Sequence, residues 1–119
     1  MRYPVSGAVS VALNPAGTGG VQNLLGAAIT TGRVLQLKSI WIHNSHATQD
    51  AVVNLHNLAA DATTTAASQR FSIYVAAARS AMVDFPAPGL RFATGCCAVL
   101  DTTGGTVAIG ECGGLGYEE

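Results

Sequence analysis

Charge is what this sequence has least of. Only 11% of its 119 residues are Asp, Glu, Lys or Arg, against about 25% in ordinary soluble domains. Six basic and seven acidic side chains leave a net charge of -1. That excludes a global basic field for nucleic acid and a polybasic patch for an anionic membrane. Aromatic residues are also sparse, at 6%, with a single Trp. No apolar run approaches the roughly 18 residues of a membrane-spanning helix. The opening Met1-Arg2-Tyr3-Pro4 lacks the apolar core of an export signal. The three cysteines, an odd number, therefore read as reduced thiols of a product made in the cytoplasm and not as a disulfide framework.

What stands in place of charge is Ala, Gly, Ser, Thr and Asn. A solitary domain normally keeps charged residues on its surface and sheet edges, where they oppose association. A surface without them suits a protein covered by neighbours in an assembly, although drift toward small residues in a GC-rich genome gives the same composition. Hydrophobic residues make up 49%, and a chain of this length buries roughly 65% of its unfolded surface without a metal or a disulfide. The expectation is one domain over residues 1–119.

The dominant pattern is alternation with a period of two residues, which marks strands with one buried face. It begins at 8–13, where Val9, Val11 and Leu13 align, and breaks at the Pro and Gly of 14–20. Residues 21–29 fit either one face of a short helix or a loop. Residues 33–44 form the clearest strand, with Leu35, Leu37, Ser39, Trp41 and His43 on one face and Val34, Gln36, Lys38, Ile40 and Ile42 on the other. Shorter strands follow at 51–57, 70–75, 81–85, 90–92, 96–100 and 106–112. The Ala/Thr-rich stretch 58–69 is a loop. Pro86 and Pro88 forbid a central strand between 81–85 and 90–92, and 101–105 has hairpin chemistry. About eight short antiparallel strands at regular spacing predict an all-β protein, a β-sandwich of the jelly-roll kind. Residues 113–119 read as a flexible, Gly-rich tail.

No constellation designates a catalytic site, and the expectation is a non-enzyme with neither metal nor cofactor. His43, His46 and His56 are close enough in sequence for neighbouring strands to bring them to one metal, as in the cupin jelly rolls. Carboxylates are scarce around them, however, with only Asp50 nearby. Cys96 and Cys97 are adjacent on a strand and point to opposite faces, so they cannot chelate as a CxxC pair does. Buried Cys acts as a small hydrophobe. Gly17-Thr18-Gly19-Gly20 and Gly113-Gly114-Leu115-Gly116 lack the strand-to-helix setting of a phosphate loop. Trp41, flanked by apolar residues, is expected in the core. An outward position beside Tyr74 would let it stack on a sugar or a partner.

The N-terminal residues carry the one candidate interface. Pro4 keeps its neighbour extended, and Arg2 and Tyr3 are residue types enriched at interface hot spots. Residues 1–6 are therefore expected either to form an arm that reaches onto a neighbouring subunit through Arg2, Tyr3 and Pro4, or to fray as chain termini commonly do.

From about Phe71 onward the sequence resembles small β-sandwich structural proteins of tailed bacteriophages. The matching run is Met82-Val83-Asp84-Phe85-Pro86-Ala87-Pro88-Gly89-Leu90-Arg91-Phe92-Ala93-Thr94-Gly95, then Cys96-Cys97-Ala98-Val99-Leu100, then Gly105-Thr106-Val107-Ala108-Ile109. Strands 34–44 and 52–57 also fit the theme. The resemblance implies a virion protein of the capsid decoration or cement type, placed on the capsid surface and made in the host cytoplasm. Its partners would be the major capsid protein or other virion proteins, and copies of itself, commonly as a trimer. A receptor- or glycan-binding module of a tail fibre or baseplate is the alternative in the same setting, and a cupin-like metal-binding protein is the alternative outside it.

Overall fold

The computed structural model describes residues 2–9, 22–60, 62–100 and 111–119. They form the strands β1 (Tyr3–Val9), β2 (Gln22–Asn23), β3 (Leu35–His43), β4 (Ala51–His56), β5 (Gln69–Val75), β6 (Ser80–Asp84), β7 (Leu90–Phe92), β8 (Cys97–Leu100) and β9 (Glu111–Glu118). Among the described residues the only helical piece is a single 3-10 turn at Ala66–Ser68, capped by Thr65. The protein is all-β.

The strands make two antiparallel sheets, ordered β1-β9-β3-β6 with β7 also on β3, and β2-β8-β4-β5. β6 and β7 lie end to end along the same edge of β3: β6 pairs with residues 39–43 and β7 with 35–37. Counted as one interrupted strand, they leave eight strand positions among the described residues. First then pairs with last, second with next to last, and so inward: β1 with β9, β2 with β8, β3 with β6 and β7, β4 with β5. This is one long hairpin rolled up on itself. The β3–β9 and β4–β8 pairings close the roll. The architecture is the jelly-roll sandwich that the strand count predicts.

The core lies between the sheets. Leu35, Leu37, Ile40 and Ile42 of β3 and Phe92 of β7 meet Val53 and Leu55 of β4, Ile73 and Val75 of β5 and Leu100 of β8 in one buried cluster. The expected inward faces of β4 and β5 hold, as does the break at 86–89. Residues 22–29 do not form a helix. From 22 onward they give the two-residue β2 and a turn that closes with Gly26 N donating to Asn23 O at 3.0 Å. Leu24 is nonetheless fully buried.

In three places the structure corrects the sequence reading. β3 does not keep one face from end to end. Its register against β9 shifts between Leu37 and Ser39, so Lys38 is the extra residue of a β-bulge. Before it the odd positions are buried, and after it the even ones, Ile40 and Ile42. Trp41 is thereby turned out of the core, half-buried on the outer face.

The Gly-rich 113–119 is not a tail. It belongs to β9, paired on one side with β1 and on the other with β3, and Glu119 exchanges two backbone bonds with Val34 at 2.8 and 2.9 Å. The glycines are what allow this. A Cβ on Gly116 would lie 2.2 Å from Gln36 O, and one on Gly114 2.7 Å from Ser39 O.

The N-terminal arm is not an arm. Residues 3–9 are an edge strand of the larger sheet, since extended backbone held by Pro4 meets a ready partner in β9. The expected strand 8–13 thus starts earlier than its alternation suggested. The rest of that strand, the Gly17–Gly20 loop, the 101–105 hairpin and most of 106–112 lie outside the described residues.

Candidate functional site

The outer face of the larger sheet carries the exposed apolar surface. Strand register sets Met82, Trp41, Gly113 and Ala8 in one row across four strands. Asp84, Ser39, Leu115 and Ser6 form the next row, and Gln36, Tyr117 and Pro4 a further one. Met82 is 73% exposed and Leu115 51%. Trp41 lies over Gly113, where a Cβ would come within 2.8 Å of its ring, so the glycine makes a seat for the indole. Two shallow depressions mark this region. One, of about 230 Å³, is lined by Pro4, Ser6, Leu115 and Tyr117. The other, of about 310 Å³, lies along Trp41, Ser80 and Met82.

The predicted interface residues sit at one corner of this sheet and are held by their own chain. The Arg2 guanidinium pairs with Glu119 at 3.1 Å and lies 5.7 Å from the centre of the Tyr117 ring. The Tyr3 ring is covered by the Arg33 guanidinium at 3.6 Å. Pro4 is opposite Tyr117 in the β1–β9 ladder. The cation–π contacts join the N-terminal strand to β9 and to the 30–34 turn.

Next to this corner stands Glu118, which the sequence reading passed over. Its side chain is 8% exposed. Oε2 accepts from the Thr30 backbone N–H at 2.9 Å, and Oε1 from the Thr30 hydroxyl at 2.7 Å and from Arg33 Nη1 at 3.4 Å. Burial pushes its acidity toward the neutral form. The two Thr30 bonds and the Arg33 charge outweigh that and hold the carboxyl below its ordinary range. The stability from this ionisation is present above the unfolded-state value near 4.5 and is lost as the pH falls through the lower folded value. Glu118→Gln is therefore expected to cost about 2 kcal/mol at pH 7 and to remove part of the acid-side slope of stability. Urea titrations at pH 7 and pH 3.5 check it. Equal losses at both pH values would count against an ionised Glu118 as the cause.

The three histidines are not brought together. His43 bonds through Nδ1 to Ser80 Oγ at 2.9 Å on the exposed outer face. His46 uses Nδ1 to accept the backbone N–H groups of Thr48 and Gln49, at 3.2 and 3.1 Å, and so shapes its own loop. His56 is buried in the other sheet, 2.8 Å from Ser68 Oγ. That hydroxyl donates to Thr65 O at 2.8 Å. Burial lowers the His56 pKa, which favours the neutral ring. Among the described residues no three His, Cys, Asp or Glu side chains are arranged around a metal position. The cupin-like triad of His43, His46 and His56 is not assembled.

Cys96 and Cys97 do face opposite ways. Cys96 joins Cys112 in the main core, and Cys97 lies with Val99 on the far side of the sheet. There the Cys97 thiol donates to Leu58 O at 3.1 Å. Burial, with the neighbouring Cys97 and Cys112, pushes the Cys96 thiol far up, away from a nucleophilic thiolate. Tyr74 is exposed on the second sheet, not beside Trp41, and donates to Asp50, which also accepts the Ala77 N–H at 2.9 Å. The Tyr74 bond, then the Ala77 bond, lower the Asp50 pKa. Together they tie the 44–50 loop to the 76–79 turn.

No protein-family model matches the chain, and no curated protein matches it in sequence.

Proposed function

We propose that the domain is a virion structural protein of the capsid decoration or cement type, which works by burying the outer face of its larger sheet against other proteins. The observation that carries the proposal is the uncharged row Met82–Trp41–Gly113–Ala8 with Leu115 beside it. Solvent-exposed apolar side chains grouped on one flat face are what an interaction surface needs. The low charge of the chain and its resemblance to phage β-sandwich proteins support the same reading. The jelly roll is a frequent architecture of viral capsid proteins, although it also serves lectins and cupins and does not decide between them. The partners would be the major capsid protein and further copies of the chain, most simply as a trimer.

Trp41 favours a second reading. Its indole is turned outward, with Ser39, His43 and Asp84 nearby in the ladder, and this suits stacking on a sugar of a receptor glycan.

One experiment serves both. The protein is run through light scattering and co-sedimented with undecorated capsids, alongside Met82→Asp/Leu115→Asp. Both side chains are exposed, so the variant should stay within roughly 1 kcal/mol of the parent in stability. Its association should weaken on the order of tenfold or more. A parent that is strictly monomeric and ignores capsids would overturn the assembly reading. Quenching of Trp41 fluorescence by glycans in that same monomer would move the assignment to the second.

A further inference from the structure

Beside β1 lies a pocket of about 390 Å³ lined by Pro4, Val5, Ser6, Leu25, Ala27, Ala28, Ile29, Leu35, Cys96 and Glu118. One flank is fixed by backbone contact. The Leu25 carbonyl lies so close over Gly7 that a Cβ there would be 2.0 Å from its oxygen. The volume is more than twice the ~150 Å³ of an apolar cavity that takes up benzene, and within the range of small-molecule sites. Val5, Leu25, Ile29 and Leu35 make its walls apolar. Glu118, whose side chain is more than nine-tenths buried, is the one charged residue among the described residues of the lining.

The chemistry of Glu118 narrows the ligand. An ionised carboxylate only accepts hydrogen bonds, at about four lone-pair sites. Among the described residues, Oε2 accepts one bond, from the Thr30 N–H, which leaves that oxygen capacity for another donor. A ligand carbonyl or carboxylate would meet only repulsion there. A cation would gain little, because Arg33 Nη1 already stands 3.4 Å from Oε1. A neutral hydroxyl on an apolar body fits both the walls and the acceptor.

We propose that this pocket binds a small, neutral, apolar alcohol or phenol whose hydroxyl donates to Glu118. The site is separate from the outer-face surface and does not depend on the assembly reading. The test uses 4-propylphenol, propylbenzene and 4-propylbenzoate, titrated into the whole protein while the amide NMR signals of Ala27, Ala28 and Thr30 are followed. The phenol should shift those signals saturably and bind about tenfold more tightly than propylbenzene, the effect of one hydrogen bond to a buried charged group. The benzoate should not bind. Ala28→Phe, a substitution at an exposed wall position, should abolish binding while the protein stays folded. Glu118→Gln should bring the phenol and the hydrocarbon within about twofold of each other. No saturable shift at these residues, equal affinity for phenol and propylbenzene in the parent, or phenol binding that survives Ala28→Phe would each overturn the proposal.

Discussion

Phe92→Ala is expected to lower the free energy of unfolding by about 4 kcal/mol, the upper part of the range for buried large-to-small changes. Phe92 is fully buried and heads the large buried side chains of the core. It ends β7, opposite Leu35 across the ladder. The side chains around it belong to two sheets whose backbones are fixed by pairing, so little can move in to refill the space. Transfer cost and cavity cost then add. Against a total of roughly 5–15 kcal/mol for a domain of this kind, one such change removes about a quarter or more of the stability. Urea denaturation reads it as a fall in midpoint with an unchanged slope. A loss below about 1 kcal/mol would mean that Phe92 does not sit in the core.

Gly7→Ala and Gly95→Ala should each cost about 3 kcal/mol, as overpacking does at its severe end. The added Cβ would lie 2.0 Å from Leu25 O in the first case and 2.0 Å from Leu58 O in the second. Both obstacles are backbone, so relief requires a segment to shift, not a side chain to rotate. Gly32→Ala is the internal control. Nothing lies within 4 Å of its added Cβ, but the residue has φ +81°, and its cost should be only the roughly 1–2 kcal/mol of a left-handed conformation. Thermal or urea unfolding of the three variants separates steric from conformational loss. Equal costs at all three would show that packing against residues 25 and 58 is not what selects glycine there.

The glycines also explain which parts of the fold were legible. β4, β5 and β7, and β3 on either side of Lys38, are legible because their buried positions carry Leu, Ile, Val and Phe at a spacing of two. β9 is not, since Gly113, Gly114 and Gly116 leave no alternation to see, and close approach of the neighbouring backbones appears only in three dimensions. β1 was misread for a related reason. Its residues Tyr-Pro-Val-Ser-Gly-Ala-Val are small or polar, and a partner at the far end of the chain decides their state. A uniform alternation carried across Lys38 puts Trp41 in the core, and the bulge turns it out. The row of Met82, Trp41 and Leu115, the carboxylate of Glu118 and the roles of Thr30 and Arg33 all depend on long-range register, which no local pattern encodes.

The bulge has a meaning for the history of the chain. With Lys38 struck out, β3 reads Leu35, Gln36, Leu37, Ser39, Ile40, Trp41, Ile42, His43. Those residues alternate without a break, and every one keeps the face it has now. Lys38 thus stands in β3 as an inserted letter stands in a word that is still spelled correctly around it. Elsewhere in a strand, gaining or losing one residue exchanges the two faces of everything downstream. At residue 38 the chain can change length while what it shows to solvent and what it hides stay the same, and a relative with a β3 one residue shorter would align with this one residue for residue on both sides of the gap.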